Sequence, residues 1–282
     1  MGVRKLDTQP TKASDSVTMK VDPTRVDPLK LKLGKLVARH DPRTLMLASY
    51  TTAALPAPPP AVNAAAKVKG PWGLMDNDQI GDCTCAAAGH LIMEWTATAQ
   101  SQMATPSDQE IVAAYSAIIG YNPTTGANDN GAQELDVLNY WRQQGIGGHR
   151  IQAYMALEPS NRVHVMDSVW IFGGCYIGLA LPKSAQAQTS NKKTWSVPAS
   201  GTSGDGAPGS WGGHAVPVVA YDSRSLTVVT WGALQTMTWG FWAAYCDEAY
   251  AILSPDYLGQ NGGKTPGGFD IQQLQADLAD LK

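Results

Sequence analysis

The chain has 282 residues, 44% hydrophobic and 16% charged, with a net charge of −3, which excludes a disordered chain and leaves material for one large domain or two small ones. No Lys/Arg stripe stands out beyond the first residues, so nucleic acid is not an expected partner. No apolar run is long enough to span a bilayer and none follows Met1–Asp7 as in a secretory signal, so a cytoplasmic or particle-associated protein without membrane contact is expected.

Residues 1–53 read as an N-terminal extended arm of mixed charge with scattered Pro and Thr. Within it Leu29-Lys30-Leu31-Lys32-Leu33-Gly34-Lys35-Leu36 alternates Leu with Lys. Period-two alternation predicts an extended strand that buries its leucines. The expected place for it is a sheet edge of its own domain or of a neighbouring subunit, not a cleft. Residues 1–53 are therefore the candidate segment for a protein partner or self-association. Leu55-Pro56-Ala57-Pro58-Pro59-Pro60 is a stiff linker, and a domain over 54–282 follows.

Gly81 permits a turn, and Asp82 and Thr84 are good N-cap types. Cys83 to about Gln100 lacks proline and is rich in Ala, Leu, Ile and Met, which predicts a helix. A cysteine then sits at a helix N-terminus, where unpaired N–H groups and the dipole favour a thiolate. Ser107 and Glu110 form a capping box for a second helix ending near Ile119. After Asp129-Asn130-Gly131-Ala132, the spacing of Leu135, Leu138 and Trp141 predicts a third, ended by Gly145–Gly148.

From Val169 the pattern changes, and Val169, Ile171, Tyr176, Ile177, Leu179 and Leu181 predict a strand. Residues 182–213 form a long polar segment that leads to a strand over Gly212–Asp222, which carries His214. Leu226–Gly232 is its hairpin partner, with Ser223–Ser225 at the turn. Trp239-Gly240-Phe241-Trp242 and a closing strand at Tyr250–Leu253 follow.

Four cysteines do not make a disulfide framework. Cys83, Cys85 and His90 lack a second ligand cluster, so no metal and no cofactor is expected. Cys175 and Cys246 read as buried thiols, His90 as a core or lobe-interface residue, and His149 and His164 as loop residues.

Gly81-Asp82-Cys83-Thr84 is similar to the Gly-Ser-Cys-Thr active-site segment of bacterial papain-like cysteine peptidases. Asp129-x-Gly131-Ala132 resembles that family's Asp-x-Gly-Ala segment. Gly213-His214-Ala215-Val216, ending in Tyr221-Asp222, resembles its His strand, and Trp231-Gly232 and Trp239-Gly240 repeat the order of its Trp-Gly steps. The resemblance covers about 55–258. It implies an α+β, papain-like two-lobe fold, with a helical lobe, an antiparallel β-barrel-like lobe and a cleft between them.

It further implies a thiol-dependent peptidase or amide hydrolase acting by acyl transfer through a Cys-His pair on a peptide or protein. Residues 1–53 stand where the family has its propeptide. His214 is the implied base and Gln79 the oxyanion donor. The nucleophile is Cys85 by the six-residue step from Gln79 and Cys83 by the Gly-Asp-Cys-Thr match; the latter is favoured and both stay candidates. Val229 stands where the family has the Asn that orients the His, so Thr230 through a register shift, or else a water or a backbone carbonyl, has to substitute. Asp76, Asp78 and Asp82 oppose a thiolate. A second reading is a catalytically degenerate papain-fold structural or binding protein, for example of a phage-type particle, docked through its arm.

Overall fold

The computed structural model describes residues 30–99, 102–158, 160–258 and 269–280. The first part of the arm, 1–29, lies outside the described residues.

Helix α1 spans Cys83–Ala99, and every side chain from Cys83 to Thr96 is buried. A helix with no polar face belongs in an interior, and α1 is the central helix here. α2 (Asp108–Ile119) opens on the expected capping box and ends at Gly120, whose φ of 76° is left-handed. α3 (Glu134–Gln143) buries Leu135, Leu138 and Trp141. The Trp141 indole stacks on Trp95 of α1 with centroids 5.4 Å apart.

Among the described residues seven strands form one antiparallel sheet: β1 (Val62–Asn63), β2 (Ala153–Ala156), β3 (Cys175–Leu181), β4 (Gly212–Tyr221), β5 (Ser225–Thr230), β6 (Ala233–Thr238) and β7 (Cys246–Leu253). Their order is β2-β7-β3-β4-β5-β6, with β1 paired to β4. The sheet separates two cores. One holds α1–α3 against Tyr176, Ala215, Val219, Val229 and Ile252. The other holds α4 (Arg162–Phe172), α5 (Lys183–Ser190), α6 (Trp239–Tyr245) and α8 (Ile271–Asp280) against the opposite face. Leu47 and Tyr50, from the later part of the arm, are buried in this second core. α7 is the short turn Pro255–Leu258.

Three sequence expectations are corrected. Val169 and Ile171 belong to α4, not to a strand; Asn161 caps that helix and Gly173, at φ 78°, ends it. β-branched residues favour strands only weakly against such caps and a buried face. The polar segment 182–213 contains α5, and His164 is buried in α4 rather than in a loop. Among the described residues no helix is long and apolar enough to cross a membrane.

Glu94 of α1 is buried with only the Thr98 hydroxyl donating to it, at 2.9 Å, and burial pushes its carboxyl up to about 8. The folded chain thus holds this proton to higher pH than the unfolded chain. Its stabilising effect is present in acid and is lost as pH rises from about 4.3, the unfolded value, through the folded value. Glu94→Gln is expected to reduce the loss of stability between pH 5 and 9 by about 2–4 kcal/mol. Urea midpoints across that range check it; parallel curves for the two proteins would refute it.

Candidate active site

Cys83 is the first residue of α1 and is 1% exposed. Asp82 precedes it, and its carbonyl accepts the first helical bonds from Cys85 and Ala86. The Asp82 carboxylate does not cap: both oxygens are buried without a hydrogen-bond partner. Burial holds that carboxyl far above the usual range, and its charge adds to the burial that pushes the Cys83 thiol up, so Asp82 opposes a thiolate as the sequence suggests. Across the cleft the Ala215 N–H donates to Cys83 Sγ at 3.4 Å. The residue before it on β4 is His214, which puts the thiol against the strand that carries the imidazole; the ring itself makes no hydrogen bond to the sulfur.

The His214 ring is fixed on two sides. Its Nε2 lies 2.7 Å from Thr230 Oγ1, while Nδ1 is buried without a partner. The indole of Trp231 stacks on it, centroids 4.3 Å apart at 14°. The Thr230 contact depends on a β-bulge. β4 and β5 pair Ala220 with Thr227 and Val218 with Val228, a one-residue slip between the two pairs. In the register of the first pair, Val229 shares a face with His214; after the slip Thr230 does, because side chains alternate with period two. Val229 instead packs in the core under α1.

The cleft over Cys83 is filled by the arm. Gly34 and Lys35 donate their N–H groups to the Gly213 carbonyl at 3.2 and 3.1 Å. The Gly34 carbonyl accepts from Ala132 N–H at 2.8 Å, and Leu36 N–H donates to the Ala132 carbonyl at 3.0 Å. Lys32 N–H donates to the Asn77 carbonyl at 3.3 Å, and Trp231 Nε1 donates to the Lys32 carbonyl at 3.0 Å. Glycine makes this approach possible: a Cβ on Gly34 would stand 1.7 Å from the Gly81 oxygen, and one on Gly213 would stand 2.1 Å from the Lys35 oxygen.

This corrects the expected placement of the arm away from the cleft. The burial pattern is corrected too. Leu31 and Leu33 are half-buried, Leu36 is 41% exposed, and Lys35 is 5% exposed. Alternation cannot foresee that the carboxylates of Asp247 and Glu248, about two hundred residues away, pair with a lysine.

With the arm in place the pair is uncharged. Burial pushes the Cys83 thiol up to about 12, only partly offset by the Ala215 and Gly34 N–H groups. Burial, with a smaller effect from His90, takes the His214 imidazole down to about 3. The group that the arm turns to the sulfur is the Gly34 N–H, a donor and not an electrophile.

The structure does not bring every sequence candidate to this point. Cys85 is buried two positions along α1, about 200° round the helix. Gln79 is exposed, and its Nε2 donates to Asp78 Oδ2 at 2.6 Å, away from the thiol. Asn77 was missed by the sequence reading. It is 2% exposed, and its Nδ2 donates to the Ile80 carbonyl at 3.2 Å. The six-residue step that tied Gln79 to Cys85 would have found it if counted back from Cys83. His90 is buried with Nε2 3.1 Å from the Gly73 carbonyl. Among the described residues no group of three His, Cys, Asp or Glu is placed to hold a metal ion.

No protein-family model matches the chain, and no curated protein matches it. Solved structures do. Xylellain, a cysteine protease from Xylella fastidiosa, superposes with a TM-score of 0.56 at 18% identity over 80% of this chain and 97% of its own. Digestive procathepsin L 3 of the Tenebrio molitor larval midgut gives 0.55 at 11% over 80% and 76%. Procathepsin B S9 from Trypanosoma congolense gives 0.53 at 12% over 80% and 88%. The chain is similar to these proteins in fold: α+β, papain-like and two-lobed.

Proposed function

We propose that the chain is a thiol peptidase or related amide hydrolase, held latent by residues 31–36 of its own arm. One observation carries the reading. An extended backbone lies in ladder-like pairing across a cleft whose floor is Cys83, beside a histidine with one free ring nitrogen. A cleft that pairs a main chain on both walls is suited to a peptide.

Departure of the arm hydrates the site and removes the main cause of the raised thiol and lowered imidazole values. Cys83 then passes its proton to His214 Nδ1, and the thiolate attacks the substrate carbonyl. The Cys83 N–H at the start of α1 and the Asn77 amide are the candidate oxyanion donors. The imidazolium gives its proton to the departing amine, and water releases the acyl group by the same base. Thr230 steadies the ring in place of an amide side chain. In this reading 1–53 is the latency arm and 54–282 the hydrolase domain; two of the similar structures are themselves named as procathepsins.

Thr230→Val removes a hydrogen bond to a ring that becomes charged, worth about 1.5–3 kcal/mol. It is expected to lower kcat/KM of the arm-released enzyme about ten- to a hundredfold, with Thr230→Asn restoring most of it. Steady-state hydrolysis of a peptide amide checks this; an unchanged kcat/KM in Thr230→Val would remove Thr230 from the site. The reading as a whole is tested by reacting the arm-released protein with an epoxide or iodoacetamide probe across pH. An apparent pKa below the ~8.5 of free cysteine, lost in His214→Ala, supports it.

The buried Asp82 beside Cys83 favours a second reading, a cleft that only holds its arm. In that case labelling is no faster than for a free thiol and is indifferent to His214.

A further inference from the structure

Beside Cys83 the arm leaves one side chain in a pocket. Lys35 Nζ lies 2.9 Å from Asp247 Oδ2 and 2.9 Å from Glu248 Oε1, and donates to the Leu36 carbonyl at 3.0 Å. Glu248 is held from behind by the Tyr250 hydroxyl at 2.9 Å. Glu134, at the start of α3, is fully buried with both carboxylate oxygens unpartnered, and its charge, with those of Glu248 and Asp247, favours the Lys35 ammonium. The pocket is shaped for an unbranched stem: a Cβ on Gly178 would stand 2.0 Å from Lys35 Cε. Three acids thus surround one cation at the bottom of a narrow slot.

Most of this machinery belongs to the cleft walls and remains when the arm leaves. The acids come from α3 and β7, and the space from β3. Two of them are almost wholly buried, at 0% for Glu134 and 7% for Glu248. With the arm in place burial pushes both carboxyls up while the Lys35 ammonium pulls both down; an apolar side chain in the position of Lys35 would keep the burial and remove the cation.

We propose that this pocket is a subsite for lysine or arginine, so that the cleft selects peptides carrying a basic residue where Lys35 now sits. The proposal rests on the hydrolase reading for its substrate and on the pocket alone for its charge preference. Lysine fits the slot as found, and arginine reaches the same acids with a fork that can engage two of them.

The arm itself serves as a tethered ligand for the first test, which needs no turnover. In the full chain, the rate of Cys83 alkylation by iodoacetamide is compared for Lys35→Arg, Lys35→Met and Lys35→Glu, each checked for fold by circular dichroism. Arginine is expected to keep Cys83 protected, methionine to accelerate alkylation at least about tenfold, and glutamate more. Methionine that protects as well as lysine overturns the proposal.

The second test offers the pocket free peptides. Blocked peptides acetyl-Leu-Gly-X-Leu-amide are added to the full-length Gly34→Val protein as protectants of Cys83. X = Lys or Arg should protect at concentrations about tenfold lower than X = norleucine, and Glu248→Gln should shrink that gap. Equal protection by norleucine overturns the proposal. Fluorogenic peptides of the same series separate the two claims. Charge-selective protection without cleavage of any peptide would end the hydrolase reading and leave the subsite. Cleavage with no preference for Lys or Arg would end the subsite and leave the hydrolase.

Discussion

Gly34→Val is expected to raise the rate of Cys83 alkylation by about a hundredfold or more over the unmodified chain. At Gly34 even a methyl group would overlap the Gly81 oxygen, at 1.7 Å, and that oxygen is backbone at the mouth of α1 and cannot swing aside. The segment must leave, and with it go the two bonds to the Gly213 carbonyl and the two to Ala132. Each is worth about 0.5–1.5 kcal/mol net, so losing four amounts to about 2–6 kcal/mol of closure. Release also hydrates a thiol that burial holds at about 12. At neutral pH a free thiol near ~8.5 has a few per cent of reactive thiolate, against a vanishing fraction in the covered state. Mass spectrometry after timed exposure to iodoacetamide reads the effect. An unchanged rate would mean that the arm does not guard Cys83.

In that released background, Cys83→Ala should abolish turnover, while Cys85→Ala should leave it within a few-fold. Of the two, Cys83 is the one that receives an N–H from β4, that of Ala215, one residue after His214. Cys85 is turned into the helical core, where burial pushes its thiol well above the free value. Loss of a nucleophile costs about 10³-fold or more in rate, because no other route through the acyl intermediate exists. His214→Ala should lower activity comparably and move the labelling pKa up towards ~8.5. Should Cys85→Ala prove to be the inactive variant, the nucleophile and the helix face assigned to it here are wrong.

The sequence determined α1, α2, α3, β4 and β5 and their order. Stretches without proline make the three helices, with a capping box at α2, and glycine-bounded β-branched runs make β4 and β5; these are local preferences that short-range chemistry carries. It also placed a cysteine at a helix start and a histidine on a strand, which was enough to nominate Cys83 and His214.

Three features had to wait for the tertiary structure. Thr230 reaches His214 only because one extra residue in β4 turns the following ladder over, and a bulge leaves no mark in period-two alternation. Asn77 and Gln79 differ by two positions in a loop, and which of them is buried depends on how that loop meets the arm. Lys35 lies inside and Leu36 outside because Asp247, Glu248 and Glu134 converge on one point from two distant elements. Burial of a charge is decided by its partners, and partners hundreds of residues apart in the chain become neighbours only when the two lobes close on the arm.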